Sequence, residues 1–279
     1  MDLRTRTPAL SLRWFGKTDR GKVRANNEDA FLGLQFDARE VHHLGRLGET
    51  HSSAADCVFA VSDGMGGAHA GEFASRVTVD KVAHLLPRSY RQAAVGLEAG
   101  FADVLEELFE QIHCALTFLG SSDEECRGMG STLSLCWFTP GWMYFGHIGD
   151  SRIYYLPARE GGCKQITHDD THVGWLFRHG KINEREARNH PRRNALQNAL
   201  GAGHQFVSPQ IGAVGFESGD LFLLCTDGLI DGLFDSNLVD LLRSPEPIAS
   251  ELDPAQRLVQ ASVERAGRDN TTALVIEVL

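Results

Sequence analysis

Short apolar segments are distributed along almost the entire chain, and their arrangement constrains the fold more than any other feature of the sequence. They are rich in β-branched, aromatic or aliphatic residues and predict strands at residues 58–62, 132–138, 142–147, 152–156, 220–226 and 272–279. Pro140-Gly141 predicts a turn between the second and third strands, and Gly149-Asp150-Ser151 predicts one between the third and fourth. Strands joined by tight turns are antiparallel, because a parallel pair needs a long crossover connection.

Two long segments with helical spacing interrupt the strands. The first covers residues 71–86 and is predicted to end before Pro87, since proline cannot continue a helix. The second covers residues 99–119, where apolar residues recur at intervals of three or four. Shorter helices are predicted at residues 183–189 and 254–266. Hairpins with inserted helices predict an α+β fold with mostly antiparallel sheet.

Two stretches are predicted to be loops because they show no periodicity. Residues 36–56 carry His42, His43 and His51, which could bind a metal ion or a partner but are expected on a plain surface loop. Residues 167–206 are polar with one short helix, and a segment of this size is often functional. No linker rich in Pro or Ser divides the chain, so we expect one domain over residues 1–279.

The charge balance and the hydropathy exclude several classes of protein. Of the 279 residues, 27 are Lys or Arg and 37 are Asp or Glu, so the net charge is −10. An acidic surface repels nucleic-acid backbones, which predicts no nucleic-acid partner. No run approaches the ~18 apolar residues of a membrane span, so no membrane insertion is expected. The basic start lacks the apolar region of a signal peptide, and the six cysteines form no Cys-x-x-Cys motif; both predict a cytoplasmic protein with reduced thiols.

Acidic residues recur where apolar segments end. Four aspartates are each followed by Gly or another turn residue, and they are Asp63, Asp150, Asp227 and Asp269. The pair Glu28-Asp29 lies just ahead of a further predicted strand. A single Asp-Gly is a common turn, but several such strand ends at one rim would form a rigid set of anionic oxygen ligands. Such ligands suit Mg²⁺ or Mn²⁺, and the lack of nearby Cys and His ligand pairs argues against zinc.

These acidic residues belong to a longer ordered series of motifs. The series comprises Gly21-Lys22-Val23-Arg24, Asn27-Glu28-Asp29, Asp63-Gly64-Met65-Gly66-Gly67, Gly130-Ser131-Thr132, Gly149-Asp150-Ser151-Arg152, Thr226-Asp227-Gly228-Leu229 and Arg268-Asp269-Asn270. In this order the motifs resemble the metal-dependent protein phosphatases (PPM, or type 2C, serine/threonine phosphatases), particularly the bacterial ones. The segment His190-Pro191-Arg192-Arg193-Asn194 resembles the flap region of that family.

The resemblance implies both an architecture and an activity. The architecture is a four-layer α-β-β-α sandwich of two mostly antiparallel sheets flanked by helices, with an inserted loop at about 36–56 and a flap at about 167–206. The activity is hydrolysis of phosphoserine and phosphothreonine in proteins by direct attack of a metal-bridging water or hydroxide. The implied partners are phosphorylated proteins, either targets of a bacterial Ser/Thr kinase or the kinase itself.

The resemblance also implies a role for each motif residue. Asp63 would bridge two Mn²⁺ or Mg²⁺ ions, the Gly64 carbonyl would bind one of them, and Asp227 and Asp269 would complete the ligands of the first ion. The remaining implied roles concern the second ion, a third and more weakly bound ion, and the substrate. Glu28 would hold the second ion through water with support from Asp29, Asp150 would bind the third ion, and Arg24 would bind the substrate phosphate.

Several positions depart from the family pattern. Met65 stands where animal members carry a histidine proposed as general acid, and a thioether cannot donate a proton. His69 is close in sequence, but a surface or capping role is the simpler interpretation, so the proton donor stays open. Asp169 or Asp170 in the flap could contact the substrate or a third ion.

Two rival interpretations are weighed against this one. A tyrosine-type phosphatase would need Cys-x5-Arg, and no cysteine here has Arg as the sixth following residue. A pseudophosphatase that acts as a regulatory binding module on the same fold is the remaining alternative. Such proteins typically lose metal-binding acids, whereas all six implied acids are present in this chain.

Overall fold

The computed structural model describes residues 10–52, 55–67, 69–94, 100–245 and 251–279. Its strands are β1 (Leu10–Asp19), β2 (Asp29–Phe36), β3 (Val41–His43), β4 (Leu47–Ser52), β5 (Asp56–Met65), β6 (Gly130–Ser131), β7 (Leu133–Thr139), β8 (Trp142–Ile148), β9 (Arg152–Leu156), β10 (Lys164–Gln165), β11 (Leu200–Gly201), β12 (Gln210–Gly215), β13 (Leu221–Cys225) and β14 (Thr271–Val278). Its helices are α1 (Ala70–Ala94), α2 (Phe101–Ser122), α3 (His172–Arg178), α4 (Glu184–Arg188), α5 (Asp227–Gly232), α6 (Asp235–Arg243) and α7 (Pro254–Arg265), with a 3₁₀ turn at Glu124–Cys126.

The strands form two antiparallel sheets. One sheet has the order β10-β9-β13-β14-β1-β4, and we call it the six-stranded sheet. The other has the order β11-β6-β5-β7-β8-β12, with β2 pairing β5 and β3 pairing β2, and we call it the eight-stranded sheet. Every pairing between named strands in the described ranges is antiparallel, as the turn signals predict.

Three layers of buried apolar side chains hold the sheets and helices together. Strand β5 alternates, with Val58 facing α1 and α2 and Phe59 facing the other sheet. Strand β14 alternates in the same way, with Ile276 between the sheets and Val275 against α5–α7. This two-residue period places one face of each sheet in a shared core and the other under helices. The predicted α+β fold and four-layer α-β-β-α sandwich are therefore confirmed.

Helix α1 corrects the prediction that the chain leaves the helix at Pro87. The helix continues to Ala94, with Pro87 inside it. Proline removes one backbone donor from a helix, but Leu86 beside it is fully buried against the eight-stranded sheet. Packing on this face outweighs the local cost of proline. The start of the second predicted helix, Ala99, lies outside the described residues, and α2 begins at Phe101.

The predicted inserted loop at 36–56 contains two strands instead. Strand β3 pairs with β2 in the eight-stranded sheet, and β4 pairs with β1 at the edge of the six-stranded sheet. His42 and His43 are exposed on β3, and His51 on β4 contacts Ser11 Oγ at 2.7 Å and Glu49 Oε1 at 2.8 Å. Edge strands expose much of their surface, so their sequence carries polar residues and lacks the apolar alternation that signals a buried strand.

The turn at Gly149-Asp150-Ser151 connects the two sheets. Strand β8 before it lies in the eight-stranded sheet, whereas β9 after it lies in the six-stranded sheet. The sequence predicts a turn here correctly but not that it crosses between layers. By contrast, Pro140-Gly141 closes a hairpin within one sheet, pairing Thr139 with Trp142. Of the helices in the described part of the chain, none is long and apolar enough to cross a membrane.

Candidate active site

A cleft of about 650 Å³ opens at the end of the sandwich where strands from both sheets terminate. It brings together most of the site residues that the sequence predicts, namely Arg24, Glu28, Asp63, Gly64, Asp150, Asp227 and Asp269. Asp29 is the predicted residue that does not line this cleft. The acidic motifs are spread over the sequence, and the two sheets gather them at one end.

Glu28 and Asp63 are neighbours because β2 and β5 pair in register. Asp29 lies opposite Asp63 in this ladder, and the backbone N–H of Gly64 donates to the Glu28 carbonyl at 3.1 Å. Gly64 has no room for a side chain, since an added Cβ would lie 1.8 Å from the carbonyl oxygen of Gly71. The glycine therefore lets the start of α1 approach β5 closely at the edge of the cleft.

Asp29 lies between the two sheets. Its Oδ2 accepts hydrogen bonds from Thr226 Oγ1 at 2.8 Å and from Thr272 Oγ1 at 2.7 Å, and both threonines belong to the six-stranded side. Its Oδ1 is buried and has no hydrogen-bond partner among the residues that the structure describes. A buried carboxylate with one satisfied and one unsatisfied oxygen is costly unless a cation or a proton compensates it.

Asp227 and Asp150 are each held by the segment that precedes them. Asp227 opens helix α5 directly after β13, with Thr226 as the N-cap residue. Asp150 follows Gly149, whose N–H donates to Asp170 Oδ2 at 3.1 Å. The turn is therefore tied to residues 167–206, the predicted flap.

Asp269 is paired with Arg24 across the cleft. An Arg24 guanidinium nitrogen donates to Asp269 Oδ2 at 2.7 Å, although half of the Arg24 side chain is exposed. Asn270 fixes the loop that carries Arg24 and Glu28. Its side-chain amide donates to the carbonyls of Arg20 and Asn26, while its Oδ1 accepts from the Glu28 N–H at 2.8 Å.

The carboxylates in and beneath the cleft raise one another's pKa. Desolvation, followed by the charges of the neighbouring aspartates, raises the pKa of Asp63 and of Asp227 well above the ordinary value. Desolvation also raises the pKa of Asp29 and of Asp150 to about 7. Hydrogen bonds from the two threonines oppose this rise at Asp29. A cation bound among these carboxylates would lower their pKa, because an opposite charge favours the ionised form.

The donor set fits divalent cations of the Mg²⁺ type. Several carboxylates and the Gly64 carbonyl line one cleft, and hard cations take this kind of all-oxygen set. In the residues that the structure describes, no three His, Cys, Asp or Glu side chains are grouped closely enough to hold one ion. Like charges repel, so carboxylates around a cleft stand apart unless a cation or protons lie between them. The buried Oδ1 of Asp29, which has no hydrogen-bond partner among the described residues, is a second sign that a cation or a proton lies beside this carboxylate.

Several polar residues complete the cleft without having been predicted as site residues. Asn194 donates to Asp227 Oδ2 at 3.2 Å, and its place in the motif of residues 190–194 was the available signal. Thr132 Oγ1 accepts from the Asp63 N–H at 2.9 Å and contacts Ser151 Oγ at 2.7 Å. His204 also lines the cleft, and nothing in the sequence around it suggested this.

Asp169 and Asp170 both hold the segment 167–206 in place. Arg152 donates to both oxygens of Asp169, at 2.8 and 2.6 Å, in a bidentate pair that is mostly buried. Asp170 accepts from Gly149 N–H, Gln210 and Asn198. Neither aspartate lines the main cleft, while Asp169 lines a smaller adjoining cavity of about 160 Å³. Their hydrogen bonds give both aspartates a structural role, and a contact of either with the substrate or a third ion stays a prediction.

The sequence is similar to known phosphatases over nearly its whole length. The family described as Protein phosphatase 2C matches residues 46–266. Serine/threonine protein phosphatase PstP from Mycobacterium tuberculosis is 35% identical over 273 residues, covering 97% of this chain and 46% of PstP. The chain thus spans about half the length of that relative. Protein phosphatase PhpP from Streptococcus pneumoniae is 31% identical over 259 residues, covering 93% of this chain and 94% of PhpP.

Solved structures show the same similarity. The catalytic domain of PstP in complex with two manganese ions superimposes with a TM-score of 0.73 at 31% identity, covering 97% of this chain and 99% of that one. The Streptococcus agalactiae serine/threonine phosphatase gives a TM-score of 0.77 at 27% identity, covering 96% of this chain and 100% of that one.

Proposed function

This chain belongs to the protein phosphatase 2C family of metal-dependent serine/threonine phosphatases, and we propose that it hydrolyses phosphoserine and phosphothreonine in proteins at the carboxylate cleft. The observation that carries the proposal is the convergence of five separate acidic residues on one cleft, beside an arginine that can meet a phosphate.

We assign the cation ligands from the donors that line the cleft. Asp63, with the Gly64 carbonyl, would serve two ions, Asp227 and Asp269 would complete the first site, and Glu28 would serve the second. Asp29 does not line the cleft, and it would support the second site from the buried side, since it lies opposite Asp63 in the β2–β5 ladder. Asp150 would be a ligand of a third ion, if one binds. Both Mn²⁺ and Mg²⁺ suit these oxygen ligands.

Bound divalent ions would supply a water nucleophile at neutral pH and neutralise charge on the phosphate. The chain's own residues supply orientation and the remaining charge. Arg24 is half-exposed at the cleft and offers planar guanidinium donors to phosphate oxygens. Its present partner Asp269 is also an assigned cation ligand, so the arginine is free to turn to phosphate when that carboxylate binds a cation. Asn194 holds Asp227 from the flap side.

The reaction needs no covalent intermediate with the protein. Water oxygen attacks phosphorus, the bond from phosphorus to the seryl or threonyl oxygen breaks, and inorganic phosphate and the alcohol are released. No cysteine lines the cleft in the described ranges, which supports direct hydrolysis over a thiol nucleophile.

We also propose that the phosphatase reverses a bacterial Ser/Thr kinase, whose targets or whose own phosphorylated residues are its substrates. Support comes from the bacterial relatives, which carry serine/threonine phosphatase names. The cysteines are all unpaired, which supports a cytoplasmic setting because thiols stay reduced there.

The rival function is a pseudophosphatase that only binds partners. Every implied acidic residue is present, and all but Asp29 line the cleft. A binding module has no need of carboxylates gathered where burial, and then the neighbouring charges, raise the pKa of Asp63 and Asp227. The hydrolytic function therefore explains the site better.

The test is hydrolysis of a phosphothreonine peptide with Mn²⁺, with Mg²⁺ and with EDTA. We expect turnover with either metal, none with EDTA, and a loss of ~10²-fold or more in kcat for Asp227→Asn, in line with electrostatic groups at active sites. The exposed Asp240→Asn in α6 is the matched control and should keep wild-type turnover. Folded wild-type protein that shows no turnover with any metal would favour the binding module.

A further inference from the structure

The proposed reaction leaves one chemical requirement that the residues assigned so far do not meet. A seryl or threonyl alkoxide is a poor leaving group unless it gains a proton as the bond to phosphorus breaks. Met65 lies in the cleft beside Asp63, and its thioether cannot donate a proton. The inference below rests on the proposed function and concerns which residue supplies that proton.

The strand register places His204 on the Met65 side of the cleft. Met65 in β5 pairs with Gly130 in β6, and Gly130 pairs with Gly201 in β11. Neighbouring strands are ~4.8 Å apart, so the backbone of Gly201 lies about 10 Å from that of Met65. His204 follows Gly201 by three residues and is half-buried where it lines the cleft.

The turn before His204 has a strained backbone. Gly201, Ala202 and Gly203 all have positive φ, at 70°, 52° and 75°. Ala202 is the one non-glycine residue with positive φ in the described part of the chain. This conformation is strained for a residue with a Cβ atom, and such strain is concentrated at functional sites.

Three hydrogen bonds hold this strained turn in position. The Ala202 N–H donates to the Met129 carbonyl at 2.8 Å, and the His204 N–H donates to the Gly201 carbonyl at 3.0 Å. The Gly201 N–H donates to Nδ1 of the buried His113 in α2 at 3.0 Å. The chain therefore fixes the turn from both the eight-stranded sheet and the outer helix layer, and the direction in which His204 leaves the turn is fixed with it.

The other polar side chains around the cleft are poor proton donors for an alkoxide. Arg24 does not lose its proton at neutral pH, and the amide of Asn194 is not an acid. The hydroxyl of Thr132 is engaged with the Asp63 N–H and Ser151. The carboxylates must be ionised to bind cations. Among the described residues that line the cleft, His204 is the single imidazole.

We propose that His204 is the proton donor to the leaving oxygen. The attacking water gives a proton to solvent, and its oxygen forms the new bond to phosphorus. The bond from phosphorus to the seryl or threonyl oxygen breaks and leaves its electron pair on that oxygen. The imidazolium of His204 transfers one ring proton to the oxygen, which yields the alcohol, inorganic phosphate and a neutral imidazole that solvent reprotonates.

The test compares substrates that differ in their need for a proton. In 4-nitrophenyl phosphate the leaving nitrophenolate is stable without one, whereas phenyl phosphate and a phosphothreonine peptide release more basic oxygens. With Mn²⁺, His204→Gln should lower kcat for the peptide by ~10²-fold or more, lower it less for phenyl phosphate and leave 4-nitrophenyl phosphate little changed. Added imidazole should restore part of the peptide activity of His204→Ala.

The controls separate this role from a structural one. His43→Gln, on exposed β3, should match wild type with all three substrates, and unfolding temperatures confirm that each variant is folded. An equal loss with every substrate would assign His204 to support of the turn and overturn the proposal. So would an unchanged peptide rate, or a leaving-group effect produced by His69→Gln instead. Wild-type protein that hydrolyses none of the substrates would contradict the proposed function, and the proton donor with it.

Discussion

Asp29 is a buried carboxylate that lies between the two sheets. It joins both sheets through two threonine hydroxyls, yet its second oxygen is buried without a partner in the described part of the chain. Desolvation raises its pKa to about 7, above the ordinary ~3.9 of an unfolded chain. A carboxyl group whose pKa is raised on folding stabilises the fold fully below its unfolded pKa. That contribution is lost as pH rises through the folded pKa, here between about pH 4 and pH 7.

Asp29→Asn should therefore flatten the pH dependence of stability in the metal-free protein. The amide keeps an acceptor for the threonines and carries no charge. In EDTA, we expect the fall in unfolding temperature between pH 5 and pH 8 to be smaller in the variant, because Asp63 and Asp227 still contribute. Differential scanning calorimetry measures this. An equal fall in both proteins would mean that Asp29 is already neutral or already compensated at pH 8.

Replacing Arg24 should affect binding of the substrate phosphate rather than folding. A hydrogen bond between charged groups contributes ~1.5–3 kcal/mol, so Arg24→Ala should lower kcat/KM for a phosphopeptide by ~10–100-fold. Its unfolding temperature should still rise on addition of Mn²⁺, because the variant keeps every assigned cation ligand and frees Asp269. Steady-state kinetics and thermal shifts supply the two readouts. Unaltered kcat/KM would remove Arg24 from phosphate binding.

At the scale of elements, the segment 167–206 is bound to the sandwich at a few points. Asp170 is one of them, since its side chain accepts from Gly149 N–H and Gln210 outside the segment and from Asn198 within it, and its carbonyl accepts from the Gln197 N–H at 2.7 Å. Burial raises the pKa of Asp170, and these hydrogen bonds oppose the rise. The segment and the turn that carries Asp150 are thus positioned together.

Asp170→Ala should cost ~1–3 kcal/mol in the free energy of unfolding and should also lower kcat, because donors that it satisfied are left buried. Urea denaturation and peptide hydrolysis measure the two effects. The control is Arg159→Ala, which removes an exposed ion pair with Glu217 and should change stability by no more than ~0.5 kcal/mol. If the two variants lose stability equally, Asp170 is not an anchor of this segment.

The elements divide clearly into those that the sequence predicts and those that it does not. Strand β9 is predicted to the residue, because buried strands consist of apolar and β-branched residues bounded by turns. Edge strands β3 and β4 carry polar side chains, so their sequence lacks the apolar pattern that predicts a strand. The extension of α1 past Pro87 depends on packing against the eight-stranded sheet. Helix propensity is a local property of the sequence and does not include this packing.

At the scale of the whole molecule, the site exists because two sheets end at the same place. Asp63 comes from the eight-stranded sheet, whereas Asp227 and Asp269 adjoin β13 and β14 of the six-stranded sheet. The strand-end pattern predicts these carboxylates from the sequence. His204 could not be predicted, because its place depends on a three-strand register and on a strained turn held by α2.

The most direct test of metal binding in the cleft is to locate the cations themselves. Crystals grown with Mn²⁺ should show anomalous difference peaks at the manganese edge within the cleft. One peak is expected between Asp63, Asp227 and Asp269, and a second on the side of Gly64 and Glu28. Crystals of Asp63→Asn grown under the same conditions should lose one or both peaks. Wild-type crystals that diffract well and show no anomalous peak would contradict the assignment of a metal site to the cleft.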